Sequence, residues 1–324
     1  MILPYLVRLL CLCLASFFLV HLALGLAVSL LASPVIRFAE TMRPRRAARL
    51  LLILRLLPWA LSLIAVIGLC APSYLLLEPS ATREEVSLGC ILAALLGLAS
   101  AGHSIVRCAR AARRSFGYVR YCQMVGRRQR LDEECAPVWV VEGGAPFLVL
   151  AGIVHPRLII SRPVVNALPA GQLAAALRHE HARQLSRDNF KRLLLLLAPD
   201  LFPLVRGFSR LERVWARLTE WAADDYAAAG DSQRSLSLAS ALVSVARMGA
   251  CPQTAPLITS LLADNQDLAE RVERLLRDTP GESRERPSVP ARLAAGTACA
   301  AVLLLMAQPM TLASVHRLLE HLTH

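Results

Sequence analysis

Lysine is almost missing from this chain: of its 36 basic residues, only Lys191 is not arginine. With a composition rich in alanine, that points to a GC-rich bacterial genome. Aromatic residues are also scarce, at 5%. The mean hydropathy is still positive, at +0.47, so aliphatic runs make the chain too apolar for an ordinary soluble enzyme. No C-x-x-C pair occurs among the nine cysteines, which argues against a cysteine zinc site. Cys11, Cys13, Cys70, Cys90 and Cys299 lie in apolar runs as small fillers. Cys108, Cys122, Cys135 and Cys251 fall in segments expected to face the reducing cytoplasm. A basic helix-turn-helix and an arginine groove interleaved with aromatics are both lacking. The net charge of +12 therefore does not read as nucleic-acid binding.

Four long apolar runs account for the hydropathy: one within Leu9–Leu31, then about Leu56–Leu77, about Val86–Val106 and about Leu293–Leu312. About 20 residues at 1.5 Å each cross a hydrocarbon core of ~30 Å. The first run is too long for a signal peptide, has little charge before it and lacks an A-x-A cleavage site. The expectation is an α-helical membrane protein with four transmembrane helices.

Orientation follows from the arginines. Arg37, Arg43, Arg45, Arg46, Arg49 and Arg55 lie between or at the edge of the first two spans. The next link is mostly acidic, with Glu78, Arg83, Glu84 and Glu85. Arg107, Arg110, Arg113, Arg114 and Arg120 follow the third span. By the positive-inside rule the N-terminus is outside and residues 107–290 are cytoplasmic, in a bacterial inner membrane. Arginine clusters beside the spans also attract anionic lipid, so the bilayer is the first expected partner. His21 is mid-span and available to pair within the bundle, whereas Arg55 and His103 sit near interfaces where snorkelling explains them. No inverted repeat is present, which argues against a transporter.

This gives three regions: 1–106 with three spans, 107–290 as a cytosolic domain, and 291–324 with the fourth span and a short outer tail. The cytosolic part reads as α+β. Residues 107–134 continue the third helix. Pro137–Val141, Pro146–Leu150 and Leu158–Ser161 are three short strands bounded by glycine and proline. A helix starts near Leu168 and runs to at least Arg187. A short apolar run, Leu193–Ala198, ends at Pro199. Further helices are expected at about 208–229, 233–248 and 258–277. Residues 278–290 read as a linker.

The chemistry concentrates at Arg178-His179-Glu180-His181-Ala182-Arg183. In an H-E-x-x-H helix, two histidines at i and i+4 bind zinc and the glutamate polarises the metal-bound water. His179 and Glu180 occupy the first two positions. The second histidine is missing, and Arg183 stands there. A guanidinium is always charged and has no lone pair to give a metal. About forty residues on, Glu220 and Asp224 share a helix face at i and i+4. A glutamate there suits a third metal ligand, and an acid one turn on suits the ring N–H of a ligating histidine.

These features resemble the BlaR/MecR-type membrane metallopeptidases, relatives of the gluzincin group. The likeness rests on His179-Glu180, Asp188, Glu220 with Asp224, Arg271-Val272-Glu273-Arg274-Leu275-Leu276, and the order of three spans, domain and span. It implies a gluzincin-like fold with zinc at His179 and Glu220 and Glu180 as the catalytic residue. It also implies Asp224 and Asp188 as outer-shell residues, and regulatory proteolysis of a cytosolic protein. In the β-lactam-sensing members a sensor domain follows the fourth span; about a dozen residues follow it here, so that ligand-sensing role is not expected to carry over.

Arg183 leaves two readings open. In the first, the site is metal-free or binds zinc weakly, Arg183 pairs with Glu180 or Glu220, and the domain holds a cytosolic partner without cutting it. In the second, another ligand completes an active zinc endopeptidase. His181 is about 200° around the helix from His179. His155 lies on a loop before a strand.

Overall fold

The computed structural model describes residues 4–77, 86–131, 137–143, 145–200, 207–249, 257–260, 268–277 and 314. The expected fourth span, the linker at 278–290 and Glu78–Glu85 lie outside them. Within the described residues the chain is mostly helical, with one small mixed sheet.

Three stretches are long and apolar enough to cross a membrane. Helix α1 spans Tyr5–Glu40. Helix α2 spans Pro44–Ala65 and passes through a π-helical turn, Val66–Cys70, into α3, Ala71–Leu77. Helix α4 runs Leu88–Val125, well beyond the apolar part of its sequence. Gly97 of α4 sits where α1 crosses it. A Cβ there would lie 2.5 Å from the Leu14 carbonyl oxygen, which is backbone and cannot swing away. Small residues permit such close crossings. Gly97→Ala is expected to push α1 and α4 apart and cost about 1–3 kcal/mol. Thermal unfolding of the detergent-solubilised protein checks it, and an unchanged midpoint would show that the crossing accommodates a methyl group.

The helix of α4 ends at Val125, earlier than expected, because the chain turns at Gly126 into strand β1, Gly126–Gln129. The expected strands follow as β2 (Val138–Val141), β3 (Leu148–Ala151) and β4 (Arg157–Ser161). A fifth, β5 (Ile258–Ser260), replaces the start of the helix expected at 258–277. The order is β1-β2-β4-β3-β5; β2 and β4 are parallel and the other pairs antiparallel. Both faces of the sheet are covered, which is why β3 is apolar throughout rather than alternating. Leu148, Leu158 and Ile160 face one layer of helices, and Val149, Ala151 and Ile159 face Tyr118, Val119 and Cys122 of α4.

The first layer holds α6 (Ala170–Ser186), preceded by the short α5 (Arg162–Ala167), together with α9 (Ser232–Arg247) and α10 (Leu268–Leu276). Arg187 adopts a left-handed conformation (φ 55°) that ends α6 and starts α7, Asp188–Leu197. Asn189 fixes α7 to the sheet, donating to the carbonyls of Leu150 and Gly152 at 3.1 and 2.8 Å.

Helix α8 (Gly207–Ala228) joins the two halves of the molecule. Phe208, Leu211, Trp215 and Leu218 are buried with residues of α1, α2 and α4, whereas Ala227 and Ala228 are buried beside the sheet layer. Arg55 was expected to snorkel; it is instead 1% exposed. It donates to Glu212 of α8 at 2.7 Å and lies 4.1 Å from the centre of the Phe208 ring. A buried guanidinium needs such partners, because an unpaired one would be very costly away from water. His21 is likewise buried, with Nε2 3.2 Å from the Pro199 carbonyl oxygen.

Candidate functional site

Helices α6, α8 and α10 meet around a buried cluster of charges. On α6, the i, i+4 spacing puts His179 and Arg183 on one face, and Glu180 is beside them. Small residues at Ala175 and Ala176 let this helix pack tightly, so His179, Glu180 and Arg183 are at most 1% exposed. Helix α8 brings Glu220 and Asp224 against that face, at 8% and 1% exposure. Helix α10 adds Arg271, at 4%.

His179 sits between the two acids of α8. Its Nε2 is 3.4 Å from Glu220 Oε2, and its Nδ1 is 2.8 Å from Asp224 Oδ1. Neither contact is in line with a ring N–H, so both are ion pairs more than directed hydrogen bonds. Arg183 reaches two carboxylates at once: NH1 is 3.5 Å from Glu180 Oε1, and NH2 is 3.2 Å from Glu220 Oε1. Arg271 grips Asp224 with a bidentate pair, Nε to Oδ2 at 2.9 Å and NH2 to Oδ1 at 2.7 Å. Its NH1 lies 3.5 Å from Glu220 Oε2. One turn on, Arg274 donates to Asp225 at 2.5 Å and seals α10 against α8.

The protonation states follow from this geometry. Burial would raise the pKa of Asp224, but Arg271 and then His179 outweigh it and hold it at about 2. Glu220 is likewise penalised by burial, yet Arg183, His179 and Arg271 push it far below the ordinary carboxylate range. Burial works against a charged His179, and Asp224 and Glu220 overcome it, so its pKa is raised. Glu180 behaves differently. Burial raises its pKa and the opposing pull of Arg183 does not cancel the effect. Three carboxyl groups therefore face Arg183 and Arg271, with His179 among them and Arg192 near enough to act on Glu220 and Glu180. Charges buried together in this way need such opposite partners.

Asp188 is set apart from the others. Its Oδ1 accepts from Ser186 Oγ at 2.5 Å and from Lys191 Nζ at 2.9 Å, at the start of α7. It reaches the cluster through the field it exerts on Arg183. His155 is exposed on the turn between β3 and β4, and His181 is half-buried away from the face that carries His179. Arg271 is a member of the cluster that the motif alone did not place. Its sequence signal was the Arg271–Leu276 stretch that carries part of the resemblance, which gave Arg271 no role.

Catalytic zinc is held by three protein ligands converging at about 2 Å, with water in the open position. His179 Nε2 and Glu220 are close enough to share one ion, and Asp224 stands 2.8 Å from Nδ1, where an outer-shell acid would sit. The third donor does not fit, because the guanidinium of Arg183 lies against both Glu180 and Glu220 and brings a positive charge to the place of a ligand. Among the described residues, no three His, Cys, Asp or Glu side chains form a metal-binding group. The arrangement is that of a closed ion-pair lock, with Glu180 and Glu220 both engaged by Arg183. Comparison with protein-family models and with curated proteins returns no match.

Proposed function

We propose that this chain is a multi-pass membrane protein of zinc-metallopeptidase ancestry whose peptidase-like domain works without a catalytic metal. Its role in this reading is regulatory: the domain holds a cytosolic protein or peptide without cutting it. The observation that carries the proposal is the position of Arg183, 3.2 Å from Glu220 and 3.5 Å from Glu180. A guanidinium there supplies the positive charge a metal would have given, with no open position for water. Elemental analysis of the purified full chain tests it, with zinc well below stoichiometric expected. Stoichiometric zinc that disappears in His179→Ala would overturn the reading.

The second reading, an active membrane zinc endopeptidase, is favoured by one feature. His179 still faces Glu220 with one ring nitrogen and Asp224 with the other. Activity would then require Arg183 to leave the site.

The proposed orientation puts the N-terminus outside, in a bacterial inner membrane. An impermeant thiol reagent added outside the cell is expected to label a cysteine introduced at Glu84, on a background without native cysteines. One introduced at Arg110 is expected to stay unlabelled. The reverse pattern would invert the topology.

A further inference from the structure

A cleft of about 260 Å³ opens between the first turns of α2 and the helices α6, α7 and α8. None of the cluster residues His179, Glu180, Arg183, Glu220, Asp224 or Arg271 lines it. Arg45 and Arg49 do, from one face of α2. Both are exposed and have no ion-pair partner among the described residues. The one acid in the lining, Asp188, is already matched by Lys191 at 2.9 Å. The cleft is therefore net cationic. Leu52, one turn further along α2, and Trp215 of α8 form an apolar wall. It straddles the border at which the basic first turns of α2 give way to its apolar run. Its volume falls just below the usual range for small-molecule sites, roughly 300–1,000 Å³, and suits a small head group.

We propose that this cleft binds the phosphate head group of an anionic phospholipid taken from the leaflet beside the basic end of α2. The phosphate lies between Arg45 and Arg49, and the first acyl methylenes run along Leu52 and Trp215. Two arginines on one helix face match a phosphate's oxygens better than scattered charges do. This rests on the reading that α1, α2 and α4 cross a bilayer. That reading is tested separately, by whether alkaline carbonate releases the chain from membranes.

The test uses the full chain in a neutral detergent, titrated calorimetrically with short-chain phosphatidylglycerol and, in parallel, short-chain phosphatidylcholine. Saturable binding of the anionic lipid alone is expected. Arg45→Ala with Arg49→Ala should weaken it on the order of 25-fold, about fivefold for each arginine. Arg45→Lys with Arg49→Lys should keep most of it. Arg110→Ala with Arg113→Ala removes the same charge from exposed positions of α4 and should change little. Equal weakening by that control pair would mean general surface attraction and would overturn the proposal. So would equal affinity for phosphatidylcholine. Displacement of the lipid by inorganic phosphate or by a polyglutamate peptide at matching concentration would also overturn it, in favour of a soluble anion or an acidic protein segment.

Discussion

Arg183→His is expected to turn a site that binds zinc weakly into one that binds it tightly. The substitution removes a permanent cation from between Glu180 and Glu220 and puts an imidazole one helical turn from His179. His179, the new imidazole and Glu220 then offer the three donors a catalytic zinc requires. Asp224 is already 2.8 Å from His179 Nδ1, so the acid that would steady a metal-bound ring stands beside it. Changes to outer-shell partners alone are worth 10–100-fold in metal affinity, so supplying a whole ligand should raise it by more than about 100-fold. Zinc content and calorimetric titration of both proteins decide the matter. Peptidase activity is a second readout, since releasing Glu180 from the guanidinium frees it to act as general base. If the variant gains no affinity although its unfolding midpoint matches the parent's, the geometry is not that of a metal site with one ligand lost.

The second large effect is expected from Arg271→Ala. Arg271 makes both hydrogen bonds that satisfy the buried Asp224 carboxylate and also faces Glu220. Removing it leaves two carboxylates inside the protein with His179 and Arg183 as their remaining partners. Breaking a buried pair from one side typically costs about 3–5 kcal/mol. Arg271→Lys should recover only part of that, because an ammonium cannot reproduce the bidentate grip. Adding Asp224→Asn to Arg271→Ala should lower the combined cost below the sum of the two, a coupling readable in a double-mutant cycle. A loss below about 1 kcal/mol for Arg271→Ala would place the pair in the class of surface ion pairs. Chemical denaturation in detergent, followed by tryptophan fluorescence, gives the numbers.

The apolar helices were legible because length and hydropathy alone decide them. The meeting of His179, Glu220 and Asp224 was foreshadowed by helical spacing at two separate places. The partners that lock them were less visible. Arg271 is 47 residues from Asp224 in sequence, and nothing local marks the pairing. The same is true of Arg55, which reads as an interfacial arginine until Glu212, 157 residues later, is brought to it. Strand β1 has the sequence Gly-Arg-Arg-Gln, with no apolar alternation; its backbone, not its side chains, joins the sheet. Its arginines suit an edge, where charge discourages further pairing. Strand β5 is three residues long and owes its pairing to the open edge of β3.

Helix α8 gives the molecule a mechanical character. Its start is fixed among the apolar helices through Phe208 and Glu212, and its later turns carry Glu220 and Asp224 to the face of α6. Phe208, Leu211, Trp215 and Leu218 hold one side of α8 against the apolar helices almost as far as Glu220. A shift of α1 or α2 would therefore carry Glu220 and Asp224 with it as one rigid movement, and the contacts of His179 and Arg183 with α8 are the catch that such a movement would release.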